Sequence, residues 1–437
     1  MRNNEKTEAL PRNLGSWGIW LLVVNGLIGA GIFGLPSGAA RLAGVYSPLI
    51  YVVCALLILP VLLCFAELAS YYRGTGGPVR YATDAFGRFV GFQSGWLFYV
   101  ARVLLFAANS LLLIDSIAYF WPVANQGLGR LMLLLAICGG FTLLNVVGAV
   151  QSIRSLAVLT VVKFTVLILL VMAGIWVVGS ELLPGSNNSR AFMLAGPLDF
   201  GAATLLLIYA FVGFESAVVP AGECRNPTRD MPRALILGLF TVTLLYVLIQ
   251  QVTMLTVTDI GETSTPLLDS AEVLLGSTGV VILMIGIITS VGGNLVGAIF
   301  STPRVTYALA LDDCLPSWFG KVHSHFSTPA NSIIFFGIFA FLLAAFGSFL
   351  WLAAATILSR LFMYILTCAA VPVLRPRQDK DKIFMLRGAY VIPILGIVAC
   401  LWLMTQVSLD SALLTGAFIL FGSLLYALAR VSRQSNH

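Results

Sequence analysis

Long apolar stretches govern what this chain can fold into. Twelve of them lie near 17–40, 46–69, 89–121, 130–149, 155–179, 200–222, 233–257, 274–300, 331–347, 349–374, 389–405 and 409–429, and a helix needs roughly 20 apolar residues to cross the hydrocarbon of a bilayer. Lipid offers no partner to a backbone N–H or C=O, so stretches of this kind cross as helices. Over 437 residues, 59% are hydrophobic and 10% charged, too few charges to cover a water-soluble globule. The sequence therefore predicts an all-α polytopic membrane protein with 12 transmembrane helices. Polar Met1–Ser16 leads into a full-length stretch that ends without a small-residue cleavage site, so the first stretch is expected to stay in the mature protein.

Lysine and arginine collect on the cytoplasmic side of membrane proteins. With the N-terminus inside, 19 of them fall on inner segments and only Arg41, Arg130 and Arg190 fall outside. Both termini are then expected inside. The net charge of +6 follows from this topology, and because the cations are spread over short inner segments no nucleic-acid partner is implied. The loop 259–272 shows the opposite bias, with Asp259, Glu262, Asp269 and Glu272 and no lysine or arginine, as an outer loop can.

Two apolar stretches are interrupted at mid-depth. The first contains Gly29-Ala-Gly-Ile-Phe-Gly34 and the sixth Phe211-Val-Gly-Phe-Glu-Ser216. Corresponding breaks in two hydrophobic segments point to a transporter's binding site, because unwound backbone frees N–H and C=O groups for a substrate. Close helix packing is the other use of such glycines, and Pro36 together with Glu215-Ser216 weighs against it.

Each ionisable residue inside an apolar stretch has two readings, since a charge there must face protein or water. Lys163 is an ammonium near the substrate site, available for proton coupling, or a structural cation bonded to carbonyls at the break. Glu215 either caps the freed N–H groups of the second break or takes part in gating. Arg102 binds an anionic group or pairs with a carboxylate of another helix; Asp115, 13 residues on and about 20 Å away along a helix, is not that partner. Glu67 and Arg360 are placed toward the inner ends of their spans, as anchoring pairs or snorkelling side chains.

Catalytic chemistry finds no support. The three histidines, His323, His325 and His437, fall in inner loops or the tail, and the seven cysteines contain no CxxC, so neither a metal site nor a disulfide framework is indicated. No enzyme and no cofactor is expected. Gly74-Thr-Gly-Gly77 lacks the Lys-Ser/Thr ending of a phosphate loop and reads as a tight inner turn. Asn187-Asn188-Ser189 matches a glycosylation sequon in the expected outer loop, relevant only in a eukaryote.

Four motifs in order carry a family resemblance. Gly29-Ala-Gly-Ile-Phe-Gly-Leu-Pro36 resembles the first-helix signature of the amino acid–polyamine–organocation (APC) permeases. Tyr209-Ala-Phe-Val-Gly-Phe-Glu-Ser216 with Ala221-Gly-Glu-Cys-Arg-Asn-Pro-Thr-Arg-Asp-Met-Pro-Arg233 is similar to that family's sixth helix and following inner loop. Phe65-Ala-Glu-Leu-Ala69 with Gly74-Thr-Gly-Gly-Pro78, and Ser301-Thr-Pro-Arg-Val-Thr-Tyr-Ala308 with Leu315-Pro-Ser-Trp318, agree. The resemblance covers nearly the whole chain. It implies a LeuT-type fold, with residues 17–180 and 200–374 as inverted five-helix repeats, 389–429 as two appended helices, and 1–16 and 430–437 as cytoplasmic tails.

The resemblance also implies where an amino acid would sit. Helix N-termini favour anions and C-termini cations, so N–H groups around Gly29, Ala30 and Gly31 would hold the α-carboxylate. Carbonyls near Ile28 and from Tyr209 through Ala210 to Phe211, with Gly213 beside them, would hold the α-amine. Tyr209 falls where the family often carries an aromatic covering the substrate. Where the family's arginine/agmatine exchanger has a third-span asparagine and an eighth-span tryptophan, this chain aligns Phe106 and Asn294, which puts a cationic substrate in doubt; Phe106 with Asn109 suggests a moderately apolar pocket for neutral amino acids. Lys163 matches the fifth-span lysine that many of these permeases place at the sodium position of sodium-coupled relatives.

The expected function is alternating-access transport of an amino acid, neutral in first place, by proton symport or exchange. A cationic or acidic amino acid or amine antiporter is the alternative, and Arg102 would read an acidic substrate. A channel or a non-transporting sensor is more distant, since no charged ring lines a pore and no appended domain carries a signal. Membrane lipid, protons and the amino acid are the expected partners, the chain is a monomer or homodimer, and the bacterial inner membrane is the expected location.

Overall fold

The computed structural model describes residues 15–72, 77–148, 154–179, 198–218, 224, 226–377, 384 and 390–434, and the regular elements among them are helices. In chain order these are α1 (Ser16–Leu27), α2 (Gly31–Ala43), α3 (Ser47–Tyr71), α4 (Gly77–Phe86), α5 (Arg88–Ala118), α6 (Gly127–Val146), α7 (Arg154–Val178) and α8 (Phe200–Ile208). There follow α9 (Glu215–Val218), α10 (Pro227–Thr256), α11 (Pro266–Ser301), α12 (Pro303–Leu311), α13 (Ala330–Phe346), α14 (Phe349–Leu374), α15 (Val391–Thr405) and α16 (Leu409–Gln434). Each apolar stretch falls on one helix, except the two interrupted ones, which are α1 with α2 and α8 with α9. The short helices α4 and α12 occupy segments that read as connections. Most of the Gly74–Gly77 turn, the Asn187 sequon and both chain ends lie outside the described residues.

Eight helical segments among the described residues are long and apolar enough to cross a membrane, and four shorter apolar helices, Ser16–Leu27, Phe200–Phe211, Ala330–Phe346 and Val391–Thr405, lie among them. Two of the four are short because the breaks end them. Length and composition therefore establish a multi-pass helical membrane protein.

The helix starts follow local chemistry. Proline occupies the first turn of α3, α10, α11 and α12, where the missing N–H has no intrahelical acceptor to lose. Asp199 caps α8 by accepting from the Ala202 N–H at 2.8 Å, and Ser348 caps α14 by accepting from the Trp351 N–H at 3.3 Å. Gly276, at φ +63°, divides α11; the apolar stretch beginning near 274 is its second piece.

Helices α5 and α14 pack on each other at the centre and are buried along most of their length. At the periphery, α6 exposes Leu128, Leu131, Leu135 and Leu143, and α16 exposes Leu413, Leu420, Leu424 and Leu428, as lipid-facing helices do. Helix α1 packs on α9 and α2 on α8. The half before the first break thus meets the half after the second, and the interrupted helices lie antiparallel with their breaks side by side. In lipid such association depends on close packing, and Gly26 and Gly213 supply it: a Cβ on either would collide with the carbonyl of the other.

Glu67 in α3 accepts from Arg375 Nε at 2.7 Å and Nη2 at 2.8 Å, and Tyr71 donates to the same carboxylate. This pair anchors the end of α3 to the segment after α14, as expected for Glu67. The expectation for Arg360 is corrected. It lies 14 residues before the end of α14, about 20 Å along the axis, with 0% exposure. It is an interior ion-pair partner.

Candidate substrate site

Helix α1 ends at Ile28, whose extended backbone (φ −77°, ψ 91°) stops the hydrogen-bond ladder, and α2 restarts at Gly31. The first N–H groups of a helix have no intrahelical acceptor, so Ala30 and Gly31 present donors at the break. Gly29 does not share that role in this conformation, because its N–H donates to the Leu27 carbonyl at 3.0 Å. Gly29 instead gives space: a Cβ there would stand 3.0 Å from Asn294 Nδ2. At Gly31 a Cβ would stand 2.9 Å from the Ala210 Cα, so this glycine sets how closely the breaks approach.

At the second break a single turn, Tyr209–Phe211, follows α8. Val212 is then extended and Gly213 takes φ +115°, a left-handed conformation that only glycine adopts readily. Glu215 folds back so that its Oε2 accepts from the Gly213 N–H at 2.9 Å, the contact of the capping reading, one of the two given for it.

Three side chains hold the carbonyls of the breaks. Lys163 Nζ donates to the Asn25 carbonyl at 2.9 Å and the Ile28 carbonyl at 2.6 Å. Ser290 Oγ lies 3.5 Å from the same Ile28 oxygen. The Tyr246 hydroxyl lies 2.7 Å from the Leu27 carbonyl and 3.2 Å from that of Ala210, bridging the breaks. Of the four carbonyls expected near an amine, Ile28 carries Lys163, Ala210 carries Tyr246, and Tyr209 accepts from the Val212 N–H at 3.5 Å. The Phe211 carbonyl has no hydrogen bond among the described residues.

Beside the second break lies a buried polar cluster. Arg360 of α14 forms an ion pair with Glu215, and the Tyr364 hydroxyl lies 3.5 Å from Glu215 Oε2. Tyr209 donates to Asn109 Oδ1 at 3.5 Å and sets its ring edge against Phe349. Arg102 lies over the Phe98 ring, 5.4 Å from its centroid, and within electrostatic reach of Arg360 and Tyr364. Asp115 accepts from Asn125 Nδ2 at 2.6 Å. Phe106 packs its ring against Phe336 and Phe141, at 5.3 and 6.3 Å between centroids.

An arrangement of paired helix breaks, freed backbone donors and buried polar side chains suits reversible binding of a small zwitterion. Residues 14–429 match the model of a family described as amino acid permease. The chain belongs to the amino acid permease family. It is therefore an APC-superfamily protein, a membrane transporter of amino acids and not an enzyme. The permease is 28% identical over 456 aligned residues to the branched-chain amino acid permease of Bacillus subtilis (strain 168), covering 96% of this chain and 93% of that protein. It is 26% identical over 430 residues to the serine/threonine exchanger of the same organism, covering 94% and 95%. An uncharacterized transporter of Mycobacterium tuberculosis (strain ATCC 25618 / H37Rv) is 27% identical over 412 residues, covering 88% and 85%.

Within the permease, the structure brings Ile28, Gly29, Ala30, Gly31, Tyr209, Ala210, Phe211, Gly213, Asn294, Lys163 and Glu215 to the paired breaks. Asn109 joins them through Tyr209, while Phe106 is engaged by aromatic rings of α6 and α13 and Arg102 by Phe98. Three participants were not read from the sequence, Gly26, Tyr246 and Ser290, and Arg360 was read there only as an anchoring or snorkelling residue. Gly26 carries a local signal, a third glycine just before the Gly29–Gly31 pair. Tyr246 and Ser290 lie on α10 and α11, and nothing in their neighbourhoods marks them as facing a break.

Proposed function

We propose that this permease carries a neutral amino acid by alternating access, with the substrate held between the two breaks. The reading rests above all on one observation: the interrupted helices lie antiparallel with their breaks in contact and joined by the Tyr246 hydroxyl. The α-carboxylate binds the N–H groups of Ala30 and Gly31 at the N-terminus of α2, where the helix dipole adds positive potential. The α-amine binds the Phe211 carbonyl, and Tyr209 and Asn294 border the substrate. The branched-chain permease and the serine/threonine exchanger are both named for neutral amino acids, which supports that class here.

The antiparallel breaks fit a LeuT-type arrangement in which 17–180 and 200–374 are inverted repeats, 389–429 are added helices, and twelve segments cross the membrane. Both tails, 1–16 and 430–437, are cytoplasmic on the distribution of lysine and arginine, and a bacterial inner membrane is the setting. Lys163 provides a fixed ammonium at carbonyls where a sodium-coupled relative would hold its ion. A second cation there meets strong repulsion at low effective dielectric, so coupling is to protons or to a counter-substrate rather than sodium. Each requires only that loaded and empty carriers reorient unequally.

Uptake of radiolabelled amino acids into proteoliposomes tests this. Uptake that requires an amino acid inside establishes exchange, and uptake into empty vesicles under an inward proton gradient establishes symport. Sodium-dependent uptake would overturn the role given to Lys163, and absence of saturable uptake for every amino acid would overturn the carrier reading.

A further inference from the structure

Helices α3 and α10 run antiparallel past Phe211 and meet in two rungs. In the first, Gln250 Nε2 donates to Ser47 Oγ at 3.0 Å and to the Pro36 carbonyl at 3.2 Å, joining α10 to α3 and α2, while Ser47 Oγ donates to Met254 Sδ at 3.0 Å. In the second, one turn further along each helix, the Tyr51 and Tyr246 rings stand 5.6 Å apart between centroids. Both tyrosines also pack on the Phe211 ring, at 6.3 and 5.6 Å. Ser47, Tyr51, Phe211, Tyr246 and Gln250 are all 0% exposed.

Two polar atoms of this seam, the Tyr51 hydroxyl and Gln250 Oε1, reach no partner among the described residues. Their neighbours are already engaged. The Tyr246 hydroxyl is taken up by the Leu27 and Ala210 carbonyls, and the Cys54 thiol beside Tyr51 donates to the Thr204 carbonyl at 3.4 Å. Side chains of a helix lean toward its N-terminus. In this antiparallel pair Tyr51 therefore leans toward the Ser47 rung and Gln250 toward the tyrosine rung, so hydroxyl and amide oxygen enter the same interval, about 6 Å long for one turn of four residues. One is a donor and the other an acceptor, yet they are not bonded to each other. Buried polar groups are nearly always hydrogen-bonded to protein or to ordered water, and a buried water needs at least two polar partners.

We infer that Tyr51 and Gln250 hold a water molecule between them, which accepts from the tyrosine hydroxyl and donates to the amide oxygen, and that the two side chains act as positioning residues for Phe211 at the second break.

The ligand is neutral because the site is. Neither side chain carries a charge and neither is paired with a charged group among the described residues, so an ion there would be buried without compensation. With the water in place, hydrogen bonds run from the Pro36 carbonyl of α2 through Gln250 to the Tyr51 hydroxyl, and the Tyr51 ring is fixed against Phe211. The Phe211 carbonyl receives the α-amine in the proposed substrate site, and the positioning role rests on that reading.

A density map of the full chain in lipid nanodiscs, at a resolution that shows ordered water, is expected to contain a peak about 2.7–3.2 Å from both Tyr51 Oη and Gln250 Oε1. No peak there, or a direct bond between the two side chains, would overturn the water. Thermal unfolding of Tyr51→Phe reads the same point by its sign. Removing a buried hydroxyl that meets nothing is neutral or stabilising, whereas removing one that holds a water lowers stability. A midpoint at or above that of the native protein would overturn the site. In a Gln250→Met background the water is already lost, so adding Tyr51→Phe is expected to cost less than it does in the native protein; equal costs would overturn the pairing. Transport in proteoliposomes reads the positioning role: Tyr51→Phe is expected to raise the half-saturating amino acid concentration about fivefold with the maximal rate held within about twofold. A merely structural hydroxyl would leave half-saturation unchanged, and that result would remove the positioning of Phe211 and leave the water. Should Tyr51→Phe fail to fold, the native map decides the water, and Gln250→Met, whose half-saturation is expected to rise likewise, decides the positioning. Native protein that carries no amino acid would sink the carrier reading, whereas the map and the unfolding midpoints would still judge the water.

Discussion

Lys163 Nζ lies 2.6 Å from the Ile28 carbonyl oxygen, so an ammonium of α7 is bonded to the residue at which α1 loses its helical ladder. It also holds the Asn25 carbonyl, one turn earlier at 2.9 Å. These are C-terminal carbonyls of a half-helix, where negative partial charge collects. The cation thus completes the end of α1 from another helix and ties the position of the first break to that of α7.

Lys163→Ala removes a charged donor from two buried carbonyls, a loss of about 1.5–3 kcal/mol per charged hydrogen bond where nothing replaces it. The expected outcome is a fall in exchange rate of at least about tenfold, the equivalent of 1.4 kcal/mol, in protein that still folds. Measuring turnover beside thermal unfolding in detergent separates the two effects. Unchanged turnover and an unchanged pH profile would reduce the ammonium to packing.

Tyr246→Phe tests the bridge between the breaks at the scale of one oxygen. The ring keeps its contacts with Tyr51 and Phe211, while the carbonyls of Leu27 and Ala210 lose their shared donor. A cost of about 1–3 kcal/mol in ordering the breaks is expected, read as a substrate affinity lowered about tenfold or more in a binding assay. Retained affinity would show that the breaks keep their geometry without the bridge.

The two glycines of the first break should not respond alike. A side chain at Gly31 meets the Ala210 backbone at 2.9 Å, which can only be relieved by separating the breaks. At Gly29 the neighbour is the end of the Asn294 side chain, which can rotate away. Gly31→Val is therefore expected to abolish binding and Gly29→Ala to weaken it about tenfold or less. Equilibrium binding of labelled substrate checks the order, and equal losses would place Gly29 in direct backbone contact with substrate.

How much of this was legible beforehand depends on whether the determinant is local. The breaks themselves were, because Gly29 to Gly34 and Phe211 to Ser216 interrupt apolar runs in a way that one-dimensional patterning displays. Lys163 was, because a lysine within an apolar span must face protein. Tyr246 was not: a tyrosine in an apolar helix is unremarked until the packing of α10 on α1 aims its hydroxyl at Leu27. Arg360 was misplaced for a related reason. The span 349–374 already put it near the middle, but only the tertiary approach of α9 supplies the carboxylate that makes an interior arginine tenable.

Arg360 and Glu215 give the sharpest stability prediction. Both are essentially unexposed, at 0% and 1%, and they form an ion pair while Glu215 also holds the Gly213 N–H. Removing one member of a buried pair leaves an uncompensated charge and costs about 3–5 kcal/mol, whereas replacing both can be nearly neutral because the desolvation of two ions is recovered. Arg360→Leu alone is thus expected to unfold at markedly lower temperature, and Arg360→Leu with Glu215→Gln to regain most of the loss. The glutamine can still present a side-chain oxygen to Gly213, so the double variant should keep the second break formed and bind substrate where the single variant does not. Thermal unfolding and binding measured on the same three proteins check both halves. Additive destabilisation in the double variant would mean that the two side chains act separately, with Arg360 serving some contact other than the carboxylate that anchors the break.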